Sequence, residues 1–463
     1  MPGRERPRRV AFLTFGTGEY DARTLRMAHT AMAAGYEVVV YARWYPGLPV
    51  REERDGLRIV RAPFDWRLAV PGLRGAARAR LDGEMQRLPT MDVMADAEGV
   101  PPDVAAADVR PSLPVYVVRG VGRRIRRPWR RWRRMILMFP LHGLGWAAAL
   151  ERVAEPADAW HGMWAGSLPA LGRLRRRFGG RTVYDSRDIY MEARSQADAG
   201  WPGKAILAAL ERRWARRADR VITVNDAYAT VLEERFGIPR PAVVMNVPRR
   251  WRPPEPAPDR IRTALGLPRS TRIVLYQGGL MTDRGIEQCM DAILDVPGAV
   301  LCLLGFGALR YRLAEAAAMP PYAGRVFVLD AVPPSELLAW TASADVSVML
   351  IQPTSLNHRL TTPQKLFESI TAGVPVVASD LPGMAAIVRD AGIGLVCDPR
   401  SPDEIARAIR AILDEIPEAS AARRARILEL ADRRYNWESE EPVLLELYRS
   451  LVEETGRPTL GAG

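Results

Sequence analysis

Short runs of β-branched and other apolar residues recur along this chain, each separated from the next by a stretch of helical periodicity, and that alternation predicts parallel sheets covered by helices. In the first half the runs are Val10–Phe15, Val38–Tyr41, Thr182–Asp185, Val221–Val224 and Val243–Val247. In the second half they are Ile273–Tyr276, Val300–Leu304, Val326–Leu329, Val346–Ile351, Val374–Ala378 and Gly394–Cys397. Between the two sets lies Val247–Pro258, with five prolines in eleven residues, which neither a helix nor an inner strand tolerates.

At 463 residues the chain exceeds what one ordinary core accommodates, so two domains are expected. The fold class that follows is α/β, with two Rossmann-like, doubly wound domains facing each other across a cleft and ligands beyond the carboxyl ends of the strands. The expected boundaries are 1–248 for the first domain, 249–258 for the linker, 259–432 for the second domain and 433–463 for a terminal helix. Residues 65–135 fit the alternation poorly, and they are expected to be an insertion of partly mobile loops.

Charge is unevenly distributed. Of a net +12, residues 1–250 hold 44 basic and 27 acidic side chains and the remainder 22 and 27, which gives +17 and −5. The densest point is Arg119–Arg134, with nine arginines, no acid, and Trp129 and Trp132 interleaved. Interfacial aromatics beside basic residues suit an anionic membrane surface better than a nucleic acid, so the expected partner is membrane and not nucleic acid, although a plain solvated face has the same composition. The apolar run Met135–Leu150 is too short and too broken to span a bilayer. Cys289, Cys302 and Cys397 sit in apolar stretches with no CxxC spacing, as expected of reduced, buried thiols in a cytoplasmic protein. No apolar signal core follows the basic N-terminus, so secretion is not expected.

Three segments carry candidate chemistry. In Thr361–Asp380, Pro363 is placed in the first turn of a helix that Gly373 and Pro375 end. Lys365 and Glu368 then lie on one face near its positive end, where an ammonium can hold a diphosphate and a carboxylate can accept ribose hydroxyls; a surface ion pair has the same spacing. The chain has only two lysines, Lys204 and Lys365, against 64 arginines (66 − 2), so Lys at 365 points to a position from which geometry excludes Arg. In Tyr276–Ile286, Gly278 and Gly279 allow close backbone approach and Arg284 opens a helix, although an ordinary tight turn reads the same way. Gly305-Phe-Gly307 and Gly16-Thr17-Gly18 each follow a strand, but neither completes the dinucleotide pattern. The four histidines are scattered and no Asp-x-Asp occurs, so no metal and no cofactor are expected.

The order of these pieces resembles glycosyltransferase family 4 (group 1), the large retaining GT-B family, and in particular its branch reading Pro-x-Lys-Leu-Phe-Glu followed by Ala-Gly-x-Pro-Val-Val-Ala-Ser-Asp, as in Pro363–Asp380. Arg217–Asn225 and Tyr435–Tyr448 are similar to that family too. The resemblance implies a nucleoside-diphosphate-sugar donor as substrate and a glycan or lipid-linked acceptor. Lys365 and Arg284 would hold the diphosphate, Glu368 the ribose, and the Gly305 and Val332 loops the base, with Gly278, Gly279 and Leu366 also on the donor side. Gly16, Thr17, Gly18 and Asp185 would form an acceptor-side loop in the first domain, and the terminal helix would cross back to that domain. His161 would act beside the reacting sugar, or else be a core histidine. The chain departs from the family at Leu360, where many members have a second glutamate, at Gly279 in place of an arginine, and at Met163 in place of a second histidine. A catalytically silent binding subunit and a sugar-nucleotide 2-epimerase therefore stand as alternatives.

Overall fold

The computed structural model describes residues 8–18, 21–45, 47–86, 140–193, 200–256 and 258–455. Among these, contacts separate two compact units: the first comprises residues up to Val244 together with those from Glu441 onward, and the second Met245–Glu440.

The first unit is built on eight strands: β1 (Arg9–Thr14), β2 (Glu37–Arg43), β3 (Arg51–Arg54), β4 (Leu57–Ala62), β5 (Ala159–Met163), β6 (Arg181–Ser186), β7 (Arg220–Thr223) and β8 (Ala242–Val243). Their order is β3-β4-β2-β1-β5-β6-β7-β8. All pairs are parallel except the β3–β4 hairpin, whose turn at Asp55-Gly56 has both φ angles positive, as a type I′ hairpin turn requires. The sheet winds outward in both directions from β1 and β5, so the loops after those two strands flank the switch point. Tyr41, Trp146, Trp160 and Tyr184 are fully buried on it, each ring removing roughly 150–250 Å² from water.

The second unit has six parallel strands: β9 (Arg272–Gln277), β10 (Ala299–Leu304), β11 (Val326–Leu329), β12 (Val346–Met349), β13 (Val376–Ser379) and β14 (Gly394–Cys397). Their order, β11-β10-β9-β12-β13-β14, places the switch point between β9 and β12. Helices at Ile286–Leu294 and Pro402–Leu413 cover one face, and Gln364–Ala372 packs against Pro417–Arg433 on the other.

Several expectations are corrected. The Pro-rich stretch is not a free linker: Val247 lies in the core of the second unit, Trp437 N donates to the Pro248 carbonyl at 2.8 Å, and Arg250 N donates to Glu438 at 2.9 Å. The unit boundary accordingly falls after Val244, and the strand expected over Val243–Val247 shortens to two residues. Within 65–135, residues 66–86 are helical, not loops: Asp65 caps a short turn at Trp66–Ala69, and Ala77 and Leu81 of the helix Arg74–Gln86 bury one face into the core. The rest of that segment, Arg119–Arg134 included, lies outside the described residues. Strands β3, β4 and β5 are missing from the expected runs: REER and AWHGM contain no β-branched residue, whereas Leu57–Ala62 carries Ile59 and Val60 and was legible.

Candidate donor-binding site

In the second unit, the candidate donor-side residues gather where β9 and β10 end. Gly278 (φ +110°) turns the chain after β9, and its N–H donates to the Leu304 carbonyl at the end of β10. Leu280 N donates to the Phe306 carbonyl at 2.7 Å, so the two glycine turns lie one upon the other. A Cβ at Gly305 would stand 2.0 Å from the Gly278 carbonyl oxygen, and one at Gly307 2.5 Å from that of Leu280. These two glycines are therefore required by loop-on-loop packing, and no ligand needs to be invoked for them. Gly279 differs, since its Cβ would meet nothing nearer than the Met281 side chain at 3.7 Å. Val332, in the loop after β11, packs against the apolar cluster that includes Leu304.

The helix Gln364–Ala372 follows β12, starting beyond the switch point. Pro363 is its cap residue with ψ 144°, one position earlier than expected, and Gly373 ends it in the left-handed conformation. No side chain caps its N-terminus. Leu366 faces the core at 0% exposure, which corrects its assignment to the donor side: an apolar side chain one residue along the helix from Lys365 points away from the site.

Lys365 Nζ is buried without a hydrogen-bond partner among the described residues. It sits 3.8 Å from the centroid of the Tyr276 ring and 3.9 Å from where a Cβ on Gly278 would lie. Burial, reinforced by the nearby positive charge of Arg284 and partly opposed by Glu368, pulls its ammonium down to about 7. Arg284 lies in the turn just before the helix Ile286–Leu294, and its charge acts on both Lys365 and Tyr276. Glu368 is buried and accepts from Gln277 Nε2 at 2.6 Å. Tyr276 ties the glycine turn down by donating its hydroxyl to the Gly279 carbonyl at 2.8 Å.

In the first unit the loop after β1 is held by arginines: the Gly16 carbonyl accepts from Arg43 N and the Thr17 carbonyl from Arg61 Nε at 2.9 Å, while Gly18 takes φ +83° beside Ala42. Asp185 is corrected from an acceptor-side loop residue to a core ion-pair partner. It is 0% exposed and accepts from Arg23 Nε at 2.7 Å and Nη2 at 3.2 Å. His161 is likewise corrected to a core histidine. Its ring stacks on Phe12 and its Nδ1 lies 2.6 Å from the Tyr448 hydroxyl, with Nε2 3.9 Å from Asp185. Burial pulls its pKa down to about 4 against the pull of Asp185, so the ring is neutral and has no solvent-facing edge.

Comparison with known families decides the lineage. The model for glycosyl transferases group 1 matches residues 258–427, and that for the glycosyl transferase 4-like domain matches residues 93–249. The chain belongs to the group 1 glycosyltransferases of family 4. This glycosyltransferase chain is 28% identical over 257 residues to a D-inositol 3-phosphate glycosyltransferase of Corynebacterium urealyticum, covering 52% of this chain and 59% of that one. It thus spans little more than half the length of that curated relative. Its fold matches sucrose-phosphate synthase from Thermosynechococcus elongatus with a TM-score of 0.67 at 19% identity, covering 96% of this chain and 100% of that one. It also matches the Anabaena protein HepE in complex with UDP and glucose, with a TM-score of 0.61 at 15% identity and coverage of 96% and 100%. The architecture is GT-B.

Sequence reasoning about this glycosyltransferase missed Gln277 and Thr341, whose hydroxyl lies 2.7 Å from Gln277 Oε1. It also missed Asp21, which takes both terminal nitrogens of Arg187 at 2.7 Å. Asp21 opens a helix and was legible as a cap, but polar partners 64 and 166 positions away in sequence leave no local signal.

Proposed function

We propose that this chain transfers a hexose-type sugar from a nucleoside-diphosphate sugar to a hydroxyl of a glycan, glycolipid or other acceptor, with retention and without a metal. The observation that carries the reading is Lys365: a buried ammonium with no hydrogen-bond partner among the described residues, beside a second cation and an uncapped helix N-terminus, is costly unless an anion engages it. Lys365 and Arg284 hold the diphosphate and Glu368 accepts from the ribose hydroxyls. In the transfer step the bond from the anomeric carbon to the diphosphate oxygen breaks and a bond to the acceptor oxygen forms on the same face. The acceptor proton passes to a phosphate oxygen, and the nucleoside diphosphate leaves with its added charge stabilised by the two cations. The name of the HepE complex with UDP and glucose supports a nucleotide-sugar donor.

The setting proposed is the cytoplasmic face of a membrane, in surface polysaccharide or glycolipid synthesis, with Arg119–Arg134 meeting anionic lipid. Flotation with anionic vesicles at low salt tests that part, and no binding there overturns it.

A thermal-shift screen against UDP, GDP, ADP and dTDP, followed by product analysis with the matching donor sugars, tests the reaction. Lys365→Ala and Glu368→Ala should each abolish transfer in folded protein, and unchanged activity in both overturns the site. Nucleotide binding without any cleavage would identify a silent subunit instead, and conversion of donor alone an epimerase.

A further inference from the structure

Gln277 is the last residue of β9, 1% exposed, and its side chain lies between Glu368 and Thr341. An ionised carboxylate only accepts hydrogen bonds, so the amide nitrogen must face Glu368, at 2.6 Å, and the amide oxygen must face away. That oxygen needs a donor in the core, and Thr341 supplies one at 2.7 Å from the short helix Leu337–Thr341, its hydroxyl shared with the Leu337 carbonyl at 2.8 Å. The relay fixes which way the amide points. It also ties one carboxylate oxygen of Glu368 to the end of β9.

Such an arrangement is not needed for folding. A leucine or valine at the end of a parallel strand buried on both faces would pack at no cost in polar satisfaction, whereas glutamine demands two partners. Consecutive strand residues point to opposite faces, so Tyr276 and Gln277 serve the two charges separately: the ring of Tyr276 lies under Lys365, and the amide of Gln277 holds Glu368.

We infer that Gln277, oriented by Thr341, is a positioning residue that presents the Glu368 carboxylate to the ribose hydroxyls and so sets the discrimination between ribose and deoxyribose nucleotides. This rests on the donor reading given above. A pair of hydroxyls is recognised by a carboxylate only in a narrow range of orientations, and a rotating carboxylate would favour either sugar little.

The test uses the full chain and measures dissociation constants for UDP, GDP, ADP and CDP, for their 2′-deoxy counterparts and for inorganic pyrophosphate. Wild type should bind its preferred ribonucleotide about tenfold or more tightly than the 2′-deoxy form. In Gln277→Met, of similar length but without the donor, that ratio should fall to within about threefold, while pyrophosphate binding is unchanged because the cations are untouched. Thr341→Val, which keeps the shape and removes only the hydroxyl, should lower the ratio in the same direction and guards against Gln277→Met failing to fold. A ratio that survives in the folded variants overturns this inference while leaving the ribose reading intact. A wild type without discrimination removes the ribose reading and this inference with it.

Discussion

The ammonium of Lys365 lies 3.8 Å from the ring centroid of Tyr276, and that aromatic face compensates part of its burial. A cation over a desolvated ring gains on the order of 2 kcal/mol, less than full burial of an ammonium costs. Burial of Lys365 therefore costs stability that an apolar residue in the same space would not.

Lys365→Met should abolish transfer and raise the melting temperature, because a thioether fills the same space and contacts the Tyr276 ring favourably. The gain should be on the order of 2 kcal/mol. The folded-state pKa of Lys365 is depressed, so wild-type stability rises as pH increases through and above about 7, where the folded protein sheds a proton that the unfolded chain keeps. The advantage of the variant should accordingly be largest at and below pH 7 and shrink toward pH 10, which melting curves across that range will read.

Donor affinity should fall with rising pH. An anionic diphosphate favours the ammonium form, so its binding raises the pKa of Lys365 from about 7 and takes up a proton above that pH. The expected loss approaches about tenfold per pH unit above 7, since the diphosphate diester of the donor does not titrate there. Calorimetry in buffers of different ionisation enthalpy reads the uptake directly, and Lys365→Met should show none.

Gly305 and Gly279 should part company in experiment. Gly305→Ala pushes a methyl to 2.0 Å from the Gly278 carbonyl and should cost on the order of 1–3 kcal/mol, together with nucleotide affinity as the two turns separate. Gly279→Ala finds ordinary contact at 3.7 Å and should leave urea unfolding within about 1 kcal/mol of wild type.

Arg23 and Asp185 form an ion pair with side chains 1% and 0% exposed, and Arg23 also donates to the Val244 carbonyl. Removing either charge alone, as in Asp185→Asn or Arg23→Met, should cost about 3–5 kcal/mol by stranding the other in the core. The double variant should lose less than the sum of the two, and a double-mutant cycle by urea denaturation measures the difference.

The alternation of apolar runs and amphipathic stretches determined two doubly wound sheets, because strand and helix periodicities are local properties of the chain. The helix stop at Gly373 and the shared face of Lys365 and Glu368 were equally legible, being set by residues within a turn or two of each other. Tertiary structure alone decided the rest. The sequence of His161 and Asp185 is compatible with a catalytic edge or a core, and it was Arg23, Phe12 and Tyr448, from distant parts of the chain, that made both residues core. In the same way, Gly305 is explained by a carbonyl 27 positions earlier, and Glu368 is held by an amide 91 positions away. Burial and hydrogen-bond partnership are properties of pairs brought together by folding, and no window of sequence contains both members.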